Sequence, residues 1–206
     1  MLISDTDKFI FIHIPKTAGS SIRSLLQSKA LETPNSRMSR LLKNFNLPSD
    51  YQKFRFRFHY TLLEAEKKLP NNVFDSYKKI AFVRNPWDRV VSNYAYKVHG
   101  TSNKERNRND SFEEFILSEI TRKKRLQSDY IVDSTGKVAC DFIGHFESLE
   151  EDYERMQTFL EVKLPALKKL NSSKRRESYR DYYTERTKAL VAKYYEKDIE
   201  LFKYQF

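Results

Sequence analysis

The sequence is short of the residues that staple, punctuate or anchor a chain. Cys140 stands alone among 206 residues, so no intrachain disulfide can form. The four histidines, His13, His59, His99 and His145, include no pair at metal-ligand spacing, which excludes a structural zinc site. With only four glycines (Gly19, Gly100, Gly136 and Gly144), neither G-x-G-x-x-G nor G-x-x-x-x-G-K-[ST] can be written anywhere in the chain. Standard dinucleotide-binding and Walker A fingerprints are thereby ruled out. Long hydrophobic runs are missing too: Phe9 to Ile14 is far short of the ~18–20 apolar residues that span a bilayer and of a signal-peptide core. The expectation is a soluble, cytoplasmic protein.

What is present is aromatic and basic. Hydrophobic residues make up 39% and charged residues 32%, with 13 Tyr and 15 Phe, too aromatic for a disordered chain and too charged for a membrane one. The length suits a single domain over 1–206 with one core and some decoration. Lys and Arg number 38 against 28 Asp and Glu, leaving a formal charge of +10. That excess predicts an anionic partner: nucleic acid, an anionic membrane face or a phosphate-rich small molecule, since a positive field steers all three alike.

Lys8 to Ile14, K-F-I-F-I-H-I, reads as a strand buried on both faces. Pro15 to Ser21, P-K-T-A-G-S-S, then turns the chain into a helix starting near Gly19 or Ser20, with Ile22, Leu25 and Leu26 as its apolar stripe. Residues 30 to 50 read as a loose excursion. Phe54 to His59 alternates as a strand would, with Leu62 to Leu69 a short helix after it. Lys78 to Arg84 is a second buried strand, and Asn85-Pro86 supplies the N-cap and first residue of the next helix. Ser111-x-x-Glu114 and Ser148-x-x-Glu151 read as capping boxes, the first opening a helix to about Gln127; Phe142 to Glu147 reads as a strand between them. Thr184 to Leu201 reads as one amphipathic helix lying on the sheet. Strand-to-helix units in series predict an α/β fold with a mostly parallel central sheet flanked by helices.

Chemistry concentrates at three strand ends. The Lys16 to Ser21 loop leads into a helix N-terminus, where unpaired N–H groups and the positive end of the macrodipole bind phosphate or sulfate. The alternative is a capped helix with a solvated lysine. Arg84, at the end of its strand, offers a fork suited to phosphate, with Ser92 eight residues beyond. Asp88 and Arg89 between them could equally form a structural ion pair. His59 could serve as a general base or as a packing residue, while His13, inside the first strand, reads as structural.

F-I-H-I-P-K-T-A-G-S-S, F-V-R-N-P-W-D-R-V-V-S-N-Y, D-F-I-G-H-F-E-S-L-E-E-D and the segments N-S-S at 171 to 173 and Y-R-D-Y-Y at 179 to 183 occur in this order. Together they resemble the family 2, carbohydrate-type sulfotransferases from about Phe9 to Phe206. The resemblance implies a P-loop-like three-layer fold that binds 3′-phosphoadenosine 5′-phosphosulfate (PAPS) without a metal. It implies that Lys16, Thr17, Ala18, Gly19, Ser20 and Ser21 hold the 5′-phosphosulfate, that Arg84 and Ser92 hold the 3′-phosphate, and that Ser173 and Lys174 close over the nucleotide. It makes Lys16 and His59 catalytic and the acceptor a hydroxyl on a sugar or glycan. The chain departs from many relatives at His145, where Arg is common and which rivals His59 as base, and at Lys203, where Gly is common.

Two other readings start from the same residues. A P-loop-like kinase would want a G-K-[ST] loop and an acidic magnesium ligand. A nucleic-acid-binding domain would use the net charge with Arg122 to Arg125 and Lys174 to Arg176, although most such runs are solvated faces.

Overall fold

The computed structural model describes residues 1–30, 57–99, 111–167 and 178–206. Four strands, β1 (Leu2–Ser4), β2 (Phe9–Ile12), β3 (Lys78–Val83) and β4 (Phe142–His145), form one sheet in the order β1-β2-β3-β4. β1 runs antiparallel to β2, while β2, β3 and β4 are parallel, with Phe9 opposite Lys78 and Ile80 opposite Phe142. The mostly parallel α/β sheet is as expected. β1 is an addition, three residues long and too short to show a period.

Alternation along the buried strands sorts their side chains onto two faces. Phe9, Phe11, Ile80 and Phe82 pack with Ile22 and Leu26 of α1 (Gly19–Leu26) and with Tyr153, Met156 and Leu160 of α6 (Leu149–Leu160). Ile10, Ile12, Ala81 and Val83 pack on the other face with Leu62 and Ala65 of α2 (Leu62–Glu66), Val73 and Phe74 of α3 (Asn71–Ser76), and Tyr130. The result is three layers, helices on both sides of a sheet. A third cluster lies beyond the sheet: Trp87 and Val90 of α4 (Pro86–His99), Phe115 and Ile116 of α5 (Phe112–Thr121), Val191 of α7 (Glu185–Tyr194) and Tyr195.

That cluster corrects the reading of the C-terminal helix. The segment is two helices, α7 and α8 (Glu196–Phe202), broken at Tyr195, and α7 packs on α4 and α5 rather than on the sheet. Amphipathicity fixed which side is buried, not what it is buried against. The Ser111–Glu114 capping box is present, but α5 ends at Thr121, six residues before Gln127. At Ser148 the hydroxyl donates to Asp152 Oδ2 (3.0 Å), so no capping box forms there. Arg57, Phe58 and His59 are irregular and turn rather than strand, while Phe54 to Phe56 and the 30 to 50 excursion, Ala30 apart, lie outside the described residues. No described helix is long and apolar enough to cross a membrane.

Candidate active site

The loop between β2 and α1 is left-handed at two residues that are not glycine: Lys16 (φ 69°) and Ala18 (φ 61°). Such conformations cost of order 1–3 kcal/mol each and persist where the surroundings impose them. Alternating left- and right-handed residues turn successive amides toward one concavity, which suits an anion. The Ala18 carbonyl accepts from Ser21 (2.9 Å) and Ile22 (3.2 Å), closing the first turn of α1 and leaving the leading amides of the helix unused by it. The Thr17 hydroxyl donates to the Ile14 carbonyl (3.0 Å), so this buried side chain braces the loop from beneath. Gly19 has a packing reason of its own: a Cβ there would overlap the His13 ring.

The turn after β3 is held differently. One side-chain amide, that of Gln127, accepts from the Arg84 N–H (2.9 Å) and donates to the Arg84 carbonyl (2.8 Å). Gln127 is fixed in turn by the buried Asp198, whose carboxylate accepts from the amides of Gln127 (2.7 Å) and Ser128 (2.8 Å). Asn85 caps α4 through Oδ1, which accepts from the Trp87 amide (3.1 Å). The buried Arg84 guanidinium lies 3.7 Å from the centre of the Phe146 ring and binds Asp88 Oδ2 through Nε and Nη2, both at 2.7 Å. Asp88 is thus the partner of Arg84 and not of Arg89. Ser92 follows Asp88 by one helical turn and is buried.

The two arginines of the second motif tie it to the first. Arg84 Nη1 donates to the Lys16 carbonyl (3.2 Å) and Arg89 Nε to the Pro15 carbonyl (3.1 Å), contacts that bridge 68 and 74 residues of sequence. The Lys16 ammonium stands 4.1 Å from the centre of the Tyr96 ring.

His59 reaches the same end of the sheet without a strand to carry it. Its Nδ1 is 2.9 Å from the His13 carbonyl, which only accepts, so Nδ1 carries the proton and the lone pair sits on Nε2. The His13 and His59 rings are 4.7 Å apart. His13 therefore touches Gly19 on one side and His59 on the other. Partial burial, with further depression from Arg23 and Arg89, holds the His59 imidazole below its ordinary pKa, against the raising effect of its bond to His13. Burial first, then His59 and Arg23, push His13 down to about 3.

His145 lies at the end of β4, with Nδ1 3.4 Å from Asp152 Oδ2, and its amide donates to that same oxygen (2.7 Å). Ser173 and Lys174 lie outside the described residues. Sequence reasoning missed Arg89, Gln127 and Asp198 as parts of this assembly. Arg89 carried a usable signal, being four residues from Asn93 on a helix that starts at the sheet's ligand-binding end.

A family model described as the sulfotransferase family matches residues 1–205. The chain belongs to that family. An uncharacterized protein of Archaeoglobus fulgidus is 33% identical over 100 residues, spanning 43% of this chain and 72% of that one. Mouse sulfotransferase SULT7A1, solved in complex with PAP, superposes with a TM-score of 0.55 at 14% identity, covering 96% of this chain and 85% of the mouse chain. It shares the fold. A retinol dehydratase solved with androsterone and PAP gives 0.46 at 15% identity over 99% and 73%.

Proposed function

We propose that this chain transfers a sulfuryl group to a hydroxyl of a sugar or glycan, with His59 taking the hydroxyl proton. It is a sulfotransferase, and PAPS is its sulfuryl donor. The acceptor oxygen bonds to sulfur as the bond from sulfur to the 5′-phosphate oxygen breaks, the proton passes to His59 Nε2, and adenosine 3′,5′-bisphosphate (PAP) leaves with the bonding pair. As in phosphoryl transfer, the work is positioning and stabilisation of charge on the leaving phosphate. Lys16, the amides of Thr17 to Ser20 and the hydroxyls of Ser20 and Ser21 meet the phosphosulfate, Arg84 and Ser92 meet the 3′-phosphate, and Ser173 and Lys174 close over the nucleotide. The two faces of one sheet support treating 1–206 as a single sulfotransferase domain.

The observation that carries the reading is the bond from His59 Nδ1 to the His13 carbonyl, beside the loop. It leaves Nε2 as an acceptor, and the lowered pKa keeps the ring neutral near pH 7. His59→Ala should bind PAP like the wild type in calorimetry yet lose roughly 10²–10⁴-fold in turnover, the usual size of general-base catalysis. The wild-type rate should rise with pH through a value below the ordinary 6.5 of histidine, and the variant should lack that limb. Turnover is followed with labelled PAPS against a panel of sugars and glycans. If His145→Ala is the dead variant, the base is misassigned; if only non-sugar hydroxyls are labelled, the acceptor class is wrong.

A further inference from the structure

The segment that carries His59 has no strand ladder to seat it, since Arg57, Phe58 and His59 are irregular and turn. Side chains set its position instead, and one of them comes from α1, the helix that the Lys16–Ser21 loop opens. Gly19 and Arg23 are four apart and share one face of α1. Gly19 lies against the His13 ring, and the Arg23 guanidinium stands 4.6 Å from the centre of the Phe58 ring. Phe58 in turn meets the His13 ring at 4.4 Å and the His59 ring at 5.1 Å, edge to face in both cases.

Arg23 also holds this segment by its backbone. Its Nη1 donates to the Met1 carbonyl (3.1 Å), while the Met1 nitrogen donates to the carbonyls of Arg57 (3.1 Å) and Phe58 (2.6 Å). Phe58 is 44% exposed and belongs to none of the three core clusters, so core packing does not account for where it sits. The attraction of a cation to the face of an aromatic ring does, and Arg23 is partly buried, which strengthens it. His59 Nδ1 reaches the His13 carbonyl only while its ring stays seated, so fixing Phe58 fixes which nitrogen keeps a lone pair.

We infer that Arg23 is a positioning residue for the candidate base: its guanidinium holds Phe58, and through it the His59 segment, against His13. The inference rests on the reading of His59 as base. The titratable and charged groups that face His59 are Arg23 of α1, Arg89 of α4, His13 and the Met1 amine, the last two lowered chiefly by burial to about 3 and about 5. An unseated ring loses its burial and these neighbours together, so its pKa returns upward toward the ordinary 6.5.

The test is two-bond ¹H–¹⁵N NMR of the full chain labelled at histidine, with the His59 signals assigned through His59→Gln. Arg23→Met keeps an unbranched stem and removes the guanidinium, and Phe58→Leu removes the ring at an exposed position that the fold does not need. Wild-type His59 should show the Nδ1–H tautomer alone and titrate below 6.5. In both variants the Nε2–H form should appear and the midpoint should rise by about 0.5 or more. Calorimetry should give PAP affinities within about threefold of wild type. With labelled PAPS and the sugar and glycan panel, kcat should fall about tenfold at an unchanged KM for PAPS, part of the roughly 10²–10⁴ that loss of a base removes. A wild type without the Nδ1–H form, variants that keep its tautomer and midpoint, or an altered tautomer with an unchanged kcat each overturns the proposal. A His59→Ala protein of undiminished turnover would instead sink the reading of His59 as base, which the spectra do not test.

Discussion

The loop after β2 and the turn after β3 stand side by side at the same end of the sheet, each feeding a helix, yet they are built in opposite ways. In the loop the strain is in the backbone, with Lys16 and Ala18 left-handed, and the first amides of α1 are left unused by the helix. In the turn the backbone is clamped on both sides of Arg84 by Gln127, and the side chain is tied inward to Asp88 and the Lys16 carbonyl. Under the proposed function the first arrangement offers many weak donors to an anion whose charge changes during reaction. The second buries its arginine, so that the guanidinium braces the loop through the Lys16 carbonyl. In that reading one end of the bisphosphorylated nucleotide reacts and the other only binds, and the loop and the turn serve one task each.

Substitutions on each side should separate those tasks. The largest effect is expected in the loop: Lys16→Ala should lower kcat by about 10²–10³, the scale of losing one donor to developing charge, with a smaller change in PAPS binding and an unchanged melt. A kcat equal to wild type would make Lys16 a solvated residue stacked on Tyr96. In the turn, Arg84→Gln should narrow the preference for PAP over AMP by about ten- to a hundredfold, read by calorimetry. If wild type binds PAP and AMP equally, the turn does not read a 3′-phosphate and the contrast fails. The smallest effect lies outside both regions. Lys203 has φ 55° where it ends α8, and the following amide, that of Tyr204, donates to the Ile199 carbonyl (3.0 Å) in the manner of a Schellman cap. Lys203→Gly should therefore stabilise the fold by about 1 kcal/mol in denaturant melts without altering PAP affinity.

The parts of this assembly that depend on near neighbours were legible in the sequence. Apolar runs marked β2 and β3, and Asn85-Pro86 marked the start of α4. The departure at Lys203, where relatives favour Gly, falls at a left-handed residue, so a backbone requirement lay behind it. What escaped were contacts made across the chain. Gln127 reaches Arg84 over 43 residues, and Arg89 reaches Pro15 over 74. His59 was expected to be aimed by a strand; a bond to a carbonyl 46 residues away and the His13 ring orient it instead. No local period records such partners. The loop glycine also faces a ring, that of His13 just past the end of β2, a packing demand that its place in the loop did not announce.

His13 makes the fold sensitive to acid. Its imidazole is buried, 3% exposed, with Nδ1 lacking a partner among the described residues, and its pKa is pushed down to about 3. Unfolded, it would titrate near 6.5, so the unfolded chain takes up the proton first. Stability from this group is complete above pH 6.5 and erodes by at most about 1.4 kcal/mol per pH unit as pH falls toward 3. The lowered pKa of His59 acts in the same direction. Denaturant melts between pH 7 and 4 should show this slope, and it should flatten in His13→Gln whatever that variant's stability at neutral pH. The ring that spaces the Lys16–Ser21 loop from the candidate base would thus couple the integrity of the site to ambient proton activity.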